Sequence, residues 1–142
     1  MRLVQDTNVF VAALRSGAGA SRELLRRLLR RVHAPLMGDK LWYEYQDVTG
    51  RAEDWEETTL TPEQRRQSVA DFAAVCDYVA VPRVWRPNLP DEGDNHVMEL
   101  ALHGNAGAIV TFNTRDFERA MFAPAGLAIV KPGAFLKQFS TP

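Results

Sequence analysis

The chain has 142 residues, a formal net charge of −1 and a single cysteine, Cys76. That length suits one domain, spanning 1–142, with a sizeable core, and near-neutrality excludes a bulk electrostatic footprint for nucleic acid, so such a partner must use local patches. One cysteine excludes a disulfide framework, and no apolar run approaches the roughly 18–20 residues of a membrane span.

Arg2 to Gln5 reads as a buried strand that delivers Asp6 to its C-terminal edge, where open α/β sheets place their ligand crevices. Asp6 interrupts the N-terminal apolar run too early for a signal peptide, so a soluble cytoplasmic protein with no membrane partner is expected. The strand starts at residue 2, and no N-terminal accessory domain is expected. Val9 to Leu14 continues as a short helix capped near Thr7 or Asn8. After the break at Ser16–Ala20, Ser21 to Val32 is a strongly amphipathic helix with Leu24, Leu25, Leu28, Leu29 and Val32 as its core stripe. Its other face carries Arg22, Arg26, Arg27, Arg30 and Arg31 with one glutamate. That face is either solvated or a phosphate- or protein-facing patch, and Arg22, Arg26 and Arg30 are the candidate contacts for such a partner.

His33 to Met37 is a second short strand, and Asp39 starts a helix through Val48 that stops at Gly50. Arg51 to Thr59 is a loop or frayed helix. Thr61-Pro62-Glu63-Gln64 opens a helix running to about Cys76, with Val69, Phe72, Ala73 and Cys76 on one face. Tyr78 to Val81 is a third strand by β-branched content. A Pro-rich connection to Pro90 follows. Asn95 to His103 is helical, stopped by Gly104. Ala108 to Phe112 is a fourth strand, Asn113 to Phe117 a loop into a short helix, Leu127 to Val130 a fifth strand, and Pro132 opens a last helix that packs Phe135 and Leu136. Strands alternate with helices, which predicts an α/β fold: three layers, α/β/α, around a central, mostly parallel sheet of about five strands.

Four carboxylate-bearing places follow strands: Asp6 after the first, Glu44 in the helix after the second, Asp94 at a helix start after the third, and Asn113 with Asp116 after the fourth. The topology can gather them at one mouth. Clustered acids are unfavourable unless a divalent cation neutralises them, and oxygen-only ligation suits Mg²⁺ or Mn²⁺ rather than zinc. Such a centre activates water against a phosphodiester. Each acid also has an innocent reading: Asp94 and Asp116 as helix N-caps, Glu44 as a solvated side chain.

Other arrangements are poorer. His96 and His103 lie about 10 Å apart along one helix, too far to share a metal, and Glu99 with His103 makes a surface pair at i, i+4. No Gly-x-Ser-x-Gly elbow, Walker A loop or Gly-x-Gly-x-x-Gly motif is present. A haloacid-dehalogenase-like chain would want an acid where Asn8 stands, and a receiver domain would want one at the end of the third strand. Trp42 and Tyr45 share a helical face that suits packing better than base stacking.

Asp6-Thr7-Asn8-Val9, Glu44 followed by Tyr-Gln-Asp-Val48, Asp94-Asn-His-Val-Met-Glu-Leu-Ala101 and Ile109-Val-Thr-Phe-Asn113-Thr-Arg-Asp116-Phe together resemble a PIN domain over nearly the whole chain. The likeness is greatest to the toxin branch of toxin–antitoxin pairs, the VapC type. The resemblance implies a metal-dependent endoribonuclease directed at single-stranded or looped RNA. Asp6, Glu44, Asp94 and Asp116 would be both the catalytic residues and the metal ligands, for Mg²⁺ or Mn²⁺. Thr7, Asn8 and Asn113 would support them. Family members generally carry a carboxylate at one or both of the last two places; here the first is the amide of Asn113, and Asp116 is left to serve. The resemblance also implies a small antitoxin protein as partner, together with homodimerisation. Asn113 leaves a second reading open, a catalytically weak or inactive PIN-like domain that binds protein or RNA.

Overall fold

The computed structural model describes residues 1–82, 92–118 and 126–139, with backbone alone at 92–95. Five strands form one sheet: β1 (Arg2–Gln5), β2 (Ala34–Met37), β3 (Asp77–Tyr78), β4 (Ala108–Val110) and β5 (Ala128–Val130). Their order is β3-β2-β1-β4-β5, and every pairing is parallel. Leu3, Val4, Ala108, Ile109 and Val110 are wholly buried, as strands covered on both faces must be. Between them run α1 (Thr7–Arg15), α2 (Ala20–Leu29), α3 (Asp39–Gly50), α4 (Pro62–Val75), α5 (Glu92–His103), α6 (Thr114–Glu118) and α7 (Pro132–Gln138). Helices α1 to α4 and α7 pack on one another, while α5 lies against β1, β2 and β4. Strand order therefore reverses between β1 and β4, and right-handed crossovers send the intervening helices to opposite faces. The expected three-layer α/β/α arrangement is present.

Helix starts follow local chemistry. Thr61 and Gln64 form a reciprocal capping box with Pro62 in the first turn of α4. Asp6 itself caps α1, accepting a hydrogen bond from Thr7 N–H, so the helix begins before the expected caps at Thr7 and Asn8. Helix α2 is shorter than its apolar stripe suggests. Arg31 adopts φ 58°, and its N–H bonds Leu28 O while Val32 N–H reaches back to Arg27 O. This is a Schellman stop with arginine where glycine is usual, which left no mark in the sequence. Leu29 and Val32 are consequently 40% and 44% exposed rather than core. Helix α5 ends the same way with Asn105 at φ 53°. Gly104 serves packing there, since a Cβ would run into Leu36 and approach Leu100 O.

Strand β3 ends at Tyr78, earlier than expected. Its partner β2 stops at Met37, so after the bond from Val79 N–H to Met37 O no ladder remains for residues 80–81. Helix α5 begins at Glu92 rather than Asn95. The Pro-rich connection expected up to Pro90 falls, from residue 83 onward, outside the described residues. Among the described residues no helix is long and apolar enough to cross a membrane.

The core under the site is aromatic. Tyr45 stacks on Phe10 at 4.9 Å and meets Phe72 at 5.6 Å, fastening α3 to α1 and α4. Its hydroxyl donates to Gln5 O and accepts from Gln5 Nε2 at 3.3 Å, tying α3 to the end of β1. Trp42 is half-buried and Tyr43 exposed, in keeping with a packing role for the Trp42–Tyr45 face.

A second fastening comes from Arg65, 5% exposed. Its guanidinium donates to Thr49 O (2.8 Å) and Leu60 O (3.1 Å) and lies 5.3 Å from the centre of the Trp55 ring. It thereby joins the end of α3, the 3₁₀ turn Ala52–Trp55 and the start of α4. Replacing it removes two charge-assisted bonds and strips a buried carbonyl of its donor. Arg65→Met is expected to destabilise the fold by about 1–3 kcal/mol, read as a lower midpoint in urea denaturation with an unchanged slope.

Candidate active site

The reversal of strand order between β1 and β4 opens a crevice at their C-terminal ends, the usual ligand position in such sheets. Asp6 stands there, 4% exposed. Its N–H bonds Val110 O, which continues the ladder one residue past β1 and fixes where the carboxylate lies. Oδ1 accepts from Thr7 N–H at 2.8 Å, and Oδ2 accepts from the Thr111 hydroxyl at 2.7 Å. Thr111 is oriented in turn by the Asn113 N–H, which donates to its Oγ1 at 3.0 Å. Burial is the largest influence on the Asp6 carboxyl and pushes it above its ordinary range. The Thr111 hydroxyl opposes, and the nearby Glu44 charge adds to the rise.

Glu44 reaches the same place from α3. Leu41, Tyr45 and Thr49 are the buried stripe of that helix, and Tyr45, locked against β1, turns its neighbour Glu44 toward the crevice. The Thr7 hydroxyl donates to Glu44 Oε1 at 2.6 Å, and His96 Nε2 lies 2.6 Å from Oε2. Burial pushes the Glu44 carboxyl up. The His96 and Thr7 hydrogen bonds and the His96 charge outweigh it and hold the group below its ordinary value. One carboxyl is thus raised and its neighbour lowered, a split typical of functional acid pairs.

The other expected residues are placed less directly. Asp94 lies in the first turn of α5, two residues before His96, which touches Glu44; its side chain is outside the described residues. Asp116 is in the first turn of α6, with its N–H on Asn113 O, and makes no hydrogen bond to Asp6 or Glu44. Asn8 accepts from Phe112 N–H at 3.4 Å and stitches the loop after β1 to the loop after β4. Among the described residues no group of three or more His, Cys, Asp or Glu side chains comes together as a metal cluster. What is described is an oxygen-rich pair whose two Asp6 oxygens each hold one donor and keep further acceptor capacity. That donor set suits a hard divalent cation.

Four of the five arginines in and just after α2 are engaged by the protein itself. Arg22 donates to Ala13 O at 3.1 Å, Arg26 and Arg27 pair with Glu23 at 3.6 and 3.3 Å, and Arg31 reaches Val75 O and Asp77. These contacts occupy donors that a phosphate would otherwise take; Arg26, Arg30 and Arg31 are all exposed, and among the described residues Arg30 makes no such contact.

Two residues of the site escaped the sequence reading. Thr111 had a usable signal: it directly follows a buried strand, as Asp6 does, and β1 and β4 prove to be neighbours. His96 had none. Helical spacing relates it only to residues of its own helix such as His103, while its partner Glu44 lies 52 positions away on α3.

The raised Asp6 carboxyl has a consequence for stability. A carboxyl that holds its proton more tightly folded than unfolded makes stability fall as pH rises, from the ordinary carboxylate range up to the raised folded value. In EDTA at neutral pH, Asp6→Asn is therefore expected to melt no lower than wild type. Its stability should also lack that decline, which thermal melts across pH 3–8 would read.

The structure superposes on a chain from the VapBC2 complex of Rickettsia felis, solved bound to a DNA fragment from its promoter, with a TM-score of 0.59 at 15% identity, covering 91% of this chain and 97% of that one. At that identity the likeness is one of fold. No curated protein matches in sequence. The family model for the PIN domain matches residues 2–115, a span that holds Asp6, Glu44, Asp94, His96 and Thr111. The chain belongs to the PIN domain family.

Proposed function

We propose that the chain is a divalent-metal-dependent endoribonuclease acting on single-stranded or looped RNA, and the toxin of a toxin–antitoxin pair. The observation that carries this reading is the Asp6–Glu44 pair at the β1/β4 crevice, joined through Thr7. Membership of the PIN domain family supports it, as does a fold like that of a chain in a VapBC complex, which favours a small antitoxin partner. Mg²⁺ or Mn²⁺ would be held by Asp6, Glu44 and Asp94, with Asp116 as the fourth acid. When bound, such an ion supplies Lewis acidity for attack of water on the phosphodiester and offsets charge on the leaving oxygen.

The chain's own part is preorganisation. Thr7 N–H and the Thr111 hydroxyl hold the Asp6 carboxylate in one orientation, and Asn113 N–H orients Thr111 so that its proton points at Asp6. Thr7 and His96 do the same for Glu44, one donor to each oxygen. Burial keeps water from neutralising Asp6, so a cation gains more there than at an exposed acid. No protein nucleophile is required.

A second reading, partner binding without cleavage, draws on Asn113, an amide at one of the two places where family members carry a carboxylate at one or both. Incubation of a mixed pool of single-stranded and structured RNA in EDTA, Mg²⁺ or Mn²⁺ separates the two. Metal-dependent cutting by wild type, abolished in a folded Asp6→Asn variant, is the expected result. Equal cutting by that variant contradicts the mechanism, and no cutting by wild type moves the assignment to the binding reading. Thr111→Val, which removes only the hydroxyl that holds Asp6, is expected to lower activity about 10–100-fold. Part of that loss should return at raised Mn²⁺ concentration in the same cleavage assay.

A further inference from the structure

We infer that the cavity beside His96 is a base-reading subsite, which takes the nucleobase of a residue next to the cleaved phosphodiester, with guanine as the best fit. This rests on the ribonuclease reading above and names what that site would select.

The cavity holds about 330 Å³, and its lining includes Lys40, Leu41, Val81, His96, Glu99 and Leu100. Its volume is at the lower end of small-molecule sites, roughly 300–1,000 Å³, which suits a single heterocycle and excludes a helix. Leu41, Val81 and Leu100 form the apolar part of the lining, a surface suited to the face of a ring drawn out of a stack. Asp39 also lines the cavity, but its carboxylate already accepts from the Tyr78 hydroxyl; Lys40, His96 and Glu99 supply the polar groups that would read the base edge. His96 is shared with the acid pair: it lies against Glu44 at 2.6 Å, so a ligand touching its ring is one side chain from the proposed reaction centre. On a strand lying across that centre, the group in reach is a base adjacent to the cleaved step.

The polar lining also selects the base. Glu99, three residues after His96 on α5 and so on the same side of the helix, presents a carboxylate, whose oxygens accept hydrogen bonds. A phosphate would meet repulsion there. Guanine shows two adjacent N–H donors, N1–H and the N2 amino group, which a carboxylate takes in bidentate fashion, and its O6 and N7 can accept from Lys40. Uracil offers one N–H flanked by carbonyls, and hypoxanthine lacks the N2 amino group.

The test uses the full chain with Mn²⁺ and a set of single-stranded oligoribonucleotides that differ only in the base beside the cut: guanine, hypoxanthine, adenine, cytosine or uracil. Wild type is expected to show kcat/KM higher by about tenfold or more for guanine than for uracil, with hypoxanthine between them. Glu99→Gln, which removes the charge at constant size, and Val81→Trp, which fills the cavity from its edge, should each reduce the guanine-to-uracil ratio to about twofold or less. Cleavage without base preference, or a preference that survives both variants, overturns the subsite and leaves the ribonuclease reading standing. Failure of the folded wild type to cut any of the oligonucleotides with Mn²⁺ overturns the ribonuclease reading, and the subsite with it.

Discussion

The structure turns on one buried carboxylate. Asp6 is 4% exposed, and two hydrogen bonds do not replace the hydration an ionised acid loses there. Its raised carboxyl records the imbalance, and the Glu44 charge deepens it. A fold built only for stability would place an apolar residue at the end of a central strand. The chain instead spends its surrounding polar groups on holding that acid still. Thr7 serves twice, with its N–H on Asp6 and its hydroxyl on Glu44, while Thr111 and Asn113 reach in from β4.

The fold explains why these groups meet. Because β1 and β4 are neighbours whose onward connections leave in opposite directions, the loops after them face each other across an open edge. Asp6 and Thr111 stand at the same level of the sheet, since Gln5 pairs with Val110. Helix α3 brings Glu44 by a separate route, through the aromatic stack of Phe10, Tyr45 and Phe72 and the Tyr45 hydroxyl on Gln5. Helix α5 passes on to β4 and carries His96 against Glu44. The positioning contacts thus come from α1, α3, α5 and the loop after β4, and none of these elements could assemble the site alone.

That division also sets what could be read from sequence. The strands, the helix start at Pro62 and the acid at the end of β1 each have a local cause: apolar runs, capping chemistry and a buried charge. Boundaries went astray where the cause was tertiary or unmarked. The end of α2 depends on Arg31 taking a conformation usually left to glycine, and β3 is short because β2 gives it no further partner. Within the site, Asp6 and Glu44 are legible as acids after strands, while a supporting role for Thr7 and Asn8 comes only from the family resemblance; Thr7 bonds both acids and Asn8 bonds Phe112 N–H. The Thr111 bond to Asp6 and the His96 bond to Glu44 span 105 and 52 residues, and periodicity carries no information at such distances. The arginines of residues 22–31 were legible as charge, but Arg22 and Arg31 bind backbone carbonyls, which only the packed structure reveals.

Whether this preorganised pair binds a divalent cation is the central claim, and it can be measured without a substrate. Mn²⁺ titrated into the metal-free protein, followed by electron paramagnetic resonance, counts the ions taken up. The account predicts saturable uptake by wild type that is strongly weakened in a folded Glu44→Gln variant. A folded wild type that leaves Mn²⁺ free in solution throughout the titration, or a variant that binds it equally well, would contradict the account.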